Sequence, residues 1–359
     1  MTVDFSFSRA ILRWYDSNKR DLPWRSSSNP YSIWLSEVIL QQTRVEQGLP
    51  YYQKFIHKFP TVQAMAKATE NEILKLWQGL GYYSRGRNML HTAQYITREL
   101  NGQFPSSATE LKKLKGIGDY TSKAIASFSF DEKVAVVDGN VYRVLSRFFG
   151  IDTPIDSSQG QKEFQILADQ LLPKSNSQDY NQGIMEFGAI QCKPKPDCHN
   201  CPIKARCIAF QNNTVGSFPV KSKKTTRKHR YLNYLFLYHG EKMILEKRSE
   251  KDIWRNMFQF PLIESDSKFL EADQLLRNFK LQNDDVKILH MDDPHTFQHH
   301  LSHRILHLRI WPIHIEPIAK SSTKSDIFEI SFEEQRAEYA VPVVLQNFII
   351  QFKKEIVSK

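Results

Sequence analysis

Near Gln211 the chain changes its hydrophobic period, and that break divides it into two kinds of fold. From Phe7 to about Phe210 apolar residues return at spacings of three and four, as in Ile33, Trp34, Val38 and Leu40, and again in Ile73, Leu74 and Trp77. That repeat belongs to amphipathic helices. Turn formers such as Asn29-Pro30, Phe59-Pro60 and Gly102-Gln103-Phe104-Pro105 separate the segments. No alternating strand of useful length occurs there, so residues 1–212 are expected to form an all-α domain. Beyond Arg230 the texture is α+β. Strands are expected at Tyr231–Tyr238 and Met243–Glu246, turning at His239-Gly240, and at Arg304–Ile315, with helices over Ser267–Leu281 and near Asn347–Ile356. Residues 231–359 thus form a second domain. Residues 213–230 between them carry Lys221, Lys223, Lys224, Arg227, Lys228 and Arg230 with no acid, the pattern of a self-repelling linker.

No apolar run approaches the roughly 18 residues that span a bilayer. The start carries Asp4 and Arg9 and lacks a small-residue cleavage pattern, so neither a membrane protein nor a secretory leader is expected. The formal net charge of +10 suits a polyanionic partner without demanding one.

All four cysteines fall in one run, Cys192-x5-Cys198-x2-Cys201-x5-Cys207. A disulfide framework spreads its cysteines to staple distant loops; this clustering points to metal ligation in a reducing compartment. Thiolates at such spacing can close on zinc or on an iron–sulfur cluster. Lys193, Lys195, Lys204 and Arg206 surround them, which suits a loop pressed on phosphates.

Upstream, Ser107 and Glu110 are spaced as a capping box for a helix ending at Gly116. Gly116-Ile117-Gly118 then makes a tight turn into a second helix. Backbone N–H groups at such a turn can hold a phosphate. The same pattern is also an ordinary helix pair with a glycine cap. Asp138 ends an apolar stretch at the head of a helix carrying Val141, Val144 and Leu145, where an Asp is commonly an N-cap.

The Gly116-Ile117-Gly118 hairpin with Asp138 downstream resembles the helix-hairpin-helix superfamily of base-excision DNA glycosylases, and the cysteine run resembles its iron–sulfur branch. Leu22-Pro23-Trp24-Arg25, the stretch from Asn29-Pro30-Tyr31 to Val45, and Gly79-Leu80-Gly81-Tyr82-Tyr83-Ser84-Arg85 are similar to MutY-type adenine DNA glycosylases. The resemblance implies a hydrolase of base-excision repair that flips adenine out of duplex DNA, where it is mispaired with 8-oxoguanine or G, and cuts its glycosidic bond. Glu37, among apolar neighbours that raise a carboxyl pKa, is expected to protonate adenine N7. Asp138 is expected to stabilise or trap the cationic sugar. Endonuclease III-type relatives with lyase activity carry a lysine where this chain has Tyr120, so base removal without efficient strand scission is expected. Asn140, Trp24, Arg25, Leu40 and Gln182 resemble the adenine pocket, and Gln42 and Tyr82 the wedge that enters the base stack. For the cysteines the resemblance favours a [4Fe–4S] cluster. The first gap is one residue shorter than the family's usual one, which leaves zinc as the alternative.

From Leu232 to Pro261 the second domain resembles the MutT-like, Nudix-fold domain with which such enzymes read 8-oxoguanine. No glycine-and-glutamate-rich pyrophosphatase helix follows Pro261, so nucleotide hydrolysis is not expected. The family's Phe-Ser-His loop corresponds to Leu301-Ser302-His303 or, in another register, to Phe297-Gln298-His299. Ser302 is the expected contact to the oxidised base. His295, His299, His300, His303 and His307 are expected to form a polar loop and the start of a strand, without an ion. The protein is expected to be a bacterial cytoplasmic monomer, on the nucleoid when bound to DNA. An endonuclease III-like enzyme of other specificity and a non-catalytic damage sensor are the competing readings.

Overall fold

Asn29 starts the helix that organises the first half of the chain. Its side chain accepts from the Tyr31 and Ser32 N–H groups, and Pro30 takes the first helical position, where no N–H is needed. Over Pro30–Leu40, Tyr31 and every residue from Ile33 to Ile39 are buried. Glu37 therefore lies on a helix that is buried all round over these residues, while Leu40 is only half-buried.

The computed structural model describes residues 5–222, 226–249, 251–280, 286–317 and 327–357. Asp4, Lys223, Lys224 and Leu281 lie outside the described residues. The chain forms two compact units, residues 1–67 with 88–224, and residues 68–87 with 225–359.

The first unit is helical. One of its cores packs Phe7, Ile11, Val144, Phe148, Phe164 and Phe187, with the Phe7 and Phe148 rings 4.6 Å apart. Cys192, Cys201 and Cys207 pack against this core, so the cysteine loop is seated on the helix Gly139–Phe149. The helix begun at Ser107 is one turn long, Ala108–Leu111, and does not reach Gly116. Lys113 and Leu114 bond three residues back, to Glu110 and Leu111, which tightens the chain out of α geometry. Gly116 has φ +81, and a Cβ there would stand 2.7 Å from that of Asn88, so glycine is required twice over.

The second unit is built on a mixed sheet of β1 (Lys228–His239), β2 (Lys242–Lys247), β3 (Phe258–Gln259), β4 (Leu262–Ser265), β5 (Ile288–Met291), β6 (His295–His300), β7 (Arg304–Ile315) and β8 (Ile327–Ser331). The main order is β3-β2-β1-β7-β5, with β1 and β7 parallel from Lys228/Arg304 to Tyr238/His314. On one face Leu235, Leu237 and Trp311 meet Leu275 and Phe279 of the helix Ala272–Lys280. On the other, Phe236 meets Phe348 and Phe352 of the helix Val343–Val357. A central strand covered on both faces has no polar side, which is why Leu232–Leu237 does not alternate. The helix expected from Ser267 begins only at Ala272. His295–His300, expected as loop, is strand β6, antiparallel to β7.

Candidate active site and cysteine module

The start of the helix Asp119–Phe130 meets the middle of Pro30–Leu40, and there the Tyr120 hydroxyl donates to Glu37 Oε2 at 2.6 Å. Burial, partly offset by that hydrogen bond and reinforced by the nearby Asp138 charge, raises the Glu37 carboxyl to about 7. Burial also raises the Tyr120 phenol well above its ordinary value, so it stays a donor.

Asp138 caps the helix Gly139–Phe149, its Oδ1 accepting from Val141 N–H at 2.7 Å. Its Oδ2 accepts from Asn140 Nδ2 at 2.7 Å. Asn140 is held in turn: Arg143 Nη2 donates to its Oδ1 at 2.8 Å, and the same guanidinium reaches the carbonyls of Gly188 and Cys192, each at 2.7 Å. The Asp138 carboxyl is raised by burial and pulled back by the Val141 and Asn140 hydrogen bonds and by Arg143. Glu37, Tyr120, Asp138 and Asn140 thus form one cluster.

Trp24 is buried edge-on to Tyr52. Tyr15 OH donates to Gln182 Oε1 at 2.9 Å, and the Arg25 guanidinium lies 5.8 Å from the Tyr15 ring centroid. Arg25 Nη2 donates to Glu186 Oε2 at 2.7 Å, and Arg20 grips the same carboxylate through Nε and Nη2, both at 2.7 Å. Burial would raise Glu186, but the two arginines outweigh it and hold the carboxyl at about 2. Glu186 is absent from the residues picked out by sequence. Its signal is its place one turn beyond Gln182 on the helix Ser177–Glu186.

Both expected wedge residues sit in the left-handed backbone region, Gln42 at φ 57 and Tyr82 at φ 47. Neither side chain gains the local hydrogen bonding that lets Asn or Asp tolerate that region, so both turns are strained. Gln42 belongs to the helical unit; Tyr82 lies in the 68–87 segment of the sheet-bearing unit. At the hairpin, a Cβ on Gly118 would meet nothing within 4 Å, so its small size leaves open space rather than relieving a clash.

In the sheet-bearing unit, Leu301, Ser302 and His303 form the turn between β6 and β7, closed by a Leu301 N–H bond to the Arg304 carbonyl at 2.8 Å. Ser302 Oγ and Tyr82 OH share a hydrogen bond. Phe297, Gln298 and His299 lie within β6, with the Phe297 ring facing Phe348.

All four cysteines are unbridged and line one small cavity that is partly open to solvent. Among the described residues no three or more His, Cys, Asp or Glu side chains are arranged to hold a single metal ion. Burial lifts the Cys201 thiol to about 11 and also raises Cys198 and Cys207, so thiolates here need a compensating positive group. Four soft donors around one cavity fit a thiophilic metal centre. Buried Arg147 wraps the loop, reaching Cys192 Sγ at 3.5 Å and the carbonyls of Lys193 at 2.9 Å, Pro194 at 3.1 Å and Val215 at 3.1 Å.

Residues 35–169 match the family described as HhH-GPD superfamily base excision DNA repair protein, and residues 233–351 match the NUDIX domain. An adenine DNA glycosylase of Buchnera aphidicola subsp. Acyrthosiphon pisum is 33% identical over 98% of this chain and 99% of its own. One from Buchnera aphidicola subsp. Schizaphis graminum is 36% identical over 86% and 87%. The human adenine DNA glycosylase is 42% identical over 57% of this chain and 40% of its own. Among solved structures, a thermostable thymine-DNA glycosylase covers 58% of this chain and 96% of its own at 30% identity and a TM-score of 0.54. An endonuclease III–DNA complex, at 20% identity and a TM-score of 0.51 over 58% of this chain and 95% of its own, shares the fold. No helix among the described residues is long and apolar enough to cross a membrane. With near full-length identity above 30% to named relatives and both domains matched in order, the chain belongs to the MutY-type adenine DNA glycosylases, DNA-binding hydrolases of base-excision repair.

Proposed function

We propose that this glycosylase removes adenine paired with 8-oxoguanine or guanine, by hydrolysis and without efficient strand cleavage. The observation that carries the chemistry is Glu37, buried, bonded to Tyr120 and poised at about 7. A carboxyl poised there keeps a proton to give at physiological pH. Glu37 delivers it to N7 of the flipped adenine. The C1′–N9 bond then breaks with its electron pair leaving on adenine, and Asp138, steadied by Val141 and Asn140, stabilises the cationic sugar until water adds at C1′ and gives its proton to the Glu37 carboxylate. Trp24, Arg25, Leu40 and Gln182 form the adenine pocket, Gln42 and Tyr82 the wedge, and Gly116 and Gly118 a phosphate grip.

Lack of lyase activity is supported by the amines near Tyr120. Lys123 Nζ is paired with Asp119 Oδ2 at 2.8 Å and Lys112 Nζ with Asp119 Oδ1 at 2.9 Å, so neither of these lysines is an unpaired amine for a Schiff base. The register Leu301-Ser302-His303 for lesion reading is supported by the bond between Ser302 and Tyr82, while Phe297 is committed to the sheet. Cys192, Cys198, Cys201 and Cys207 are assigned to a [4Fe–4S] cluster, the centre that the family resemblance favours over zinc. When bound it supplies a rigid tie for the loop. The protein acts as a monomer on cytoplasmic chromosomal DNA.

The test follows adenine release and strand scission separately on an A:8-oxoguanine duplex, with borohydride present. Released adenine with intact, untrapped strands is expected. A stoichiometric enzyme–DNA adduct would sink the monofunctional reading.

A further inference from the structure

Residues 68–87 are neighbours in sequence of the catalytic helices, yet they belong to the sheet-bearing unit. Two sets of contacts hold them there. At one, the polar side chains of the helix Glu70–Trp77 and the residue after it supply donors to the end of the helix Phe332–Glu338. Asn71 Nδ2 donates to the Glu338 carbonyl at 2.5 Å. Lys75 Nζ donates to the carbonyls of Gln335 and Tyr339, both at 3.0 Å. Gln78 Nε2 donates to the Val341 carbonyl at 2.8 Å. The carbonyls of Gln335, Glu338 and Tyr339 lie at the negative C-terminal end of this helix and that of Val341 just beyond it, so a cation and two amides are well matched to them. At the other, Asn256 Nδ2 donates to Glu70 Oε1 at 2.7 Å and Arg87 Nη1 to the Arg255 carbonyl at 3.0 Å. Between these anchors the chain makes the strained turn at Tyr82, whose hydroxyl bonds to Ser302.

We infer that Asn71, Lys75 and Gln78 are specificity-determining positioning residues: they clamp the Tyr82 turn onto the lesion-reading unit, so that Tyr82 and Ser302 meet the base opposite adenine as one element. The three belong to the sheet-bearing unit and the Glu37 cluster to the helical one, so the clamp acts on discrimination and not on bond cleavage. The inference rests on the reading of Ser302 as the lesion contact.

The test compares single-turnover adenine release from A:8-oxoguanine and A:G duplexes by the full-length parent, Lys75→Met, Gln78→Leu, Ser302→Ala and the Lys75→Met/Ser302→Ala double variant. Lys75→Met is expected to lower the preference for 8-oxoguanine by roughly five- to tenfold, the net scale of one lost hydrogen bond, with A:G release within twofold of the parent. Gln78→Leu, a milder loss, is expected to act in the same direction. Lys75→Arg, which keeps a charged donor, should restore most of the preference. The double variant should be no worse than Ser302→Ala. Equal losses on both duplexes, or additive losses in the double variant, would overturn the clamp. Hydrogen exchange provides the independent arm. Amides of residues 82–85 should exchange faster in Lys75→Met, and unchanged protection there also overturns it. If Ser302→Ala keeps full preference while the 82–85 amides loosen in Lys75→Met, the lesion-contact reading fails and the clamp stands.

Discussion

The Tyr120 hydroxyl and the Glu37 carboxylate, 83 residues apart in the chain, are 2.6 Å apart, donor to acceptor, across two helices. The contact fixes the direction of the carboxyl and moderates its acidity. Burial favours the protonated form, and the phenol pulls the other way by stabilising the anion.

Glu37→Gln should lose adenine release by about 10²–10⁴-fold, the usual weight of a general acid, while becoming more stable at alkaline pH. Glu37 rises from 4.5 to about 7 on folding. Between those values the folded protein holds a proton that the unfolded chain has lost, so stability falls as pH rises through the window, by about 3 kcal/mol in all. Gln pays none of this. Denaturant titrations should show Glu37→Gln ahead by up to about 3 kcal/mol at pH 8 and close to the parent at pH 4.

The rate should depend on the same proton. Single-turnover release is expected to decline as pH rises above about 7, where Glu37 ionises. Tyr120→Phe removes the hydrogen bond that favours the carboxylate, so its alkaline limb should move to higher pH. A limb that stays put would detach Tyr120 from the acid.

Asp138→Asn retains an acceptor for Val141 N–H and so keeps the helix cap. It loses the negative charge proposed to stabilise the sugar cation. Adenine release should fall by about 10²–10³-fold, with mismatch affinity in a gel-shift assay within a few-fold of the parent.

Glu186→Gln leaves Arg20 and Arg25 without their shared carboxylate. Because Glu186 falls from 4.5 to about 2 on folding, it contributes stability that is present above pH 4.5 and lost as pH drops through 2. The parent should lose about 3 kcal/mol over that window and the variant little. At pH 7 the variant should be weaker by at least that amount. Acid unfolding followed by circular dichroism measures both.

Arg147→Ala strips donors from the carbonyls of Lys193, Pro194 and Val215. It should cost about 3 kcal/mol and, for the proposed iron–sulfur cluster, speed the loss of iron to a chelator, read as bleaching of visible absorbance. Absorbance as durable as the parent's would remove Arg147 from the support of the loop.

Much of this was legible in the sequence where local chemistry decides the structure. The strand Arg304–Ile315 has the expected bounds, and Asp138 caps its helix because the residue type and the apolar run after it act within four residues. What was not legible depends on partners far along the chain. Glu186 looks like a helix-surface acid until the fold brings Arg20 and Arg25 to it across more than 160 residues. β6 is rich in polar histidines, and its strand state follows from pairing with β7 rather than from its own pattern. The place of residues 68–87 in the sheet-bearing unit depends on backbone carbonyls, which no side-chain pattern records.

The most direct measurement is the single-turnover rate of adenine release from duplexes that differ only in the base opposite adenine. Fast release opposite 8-oxoguanine, slower release opposite guanine and almost none opposite thymine is the predicted result. Equal rates against all three, or release of a pyrimidine in place of adenine, would contradict the proposed reading of the opposite base.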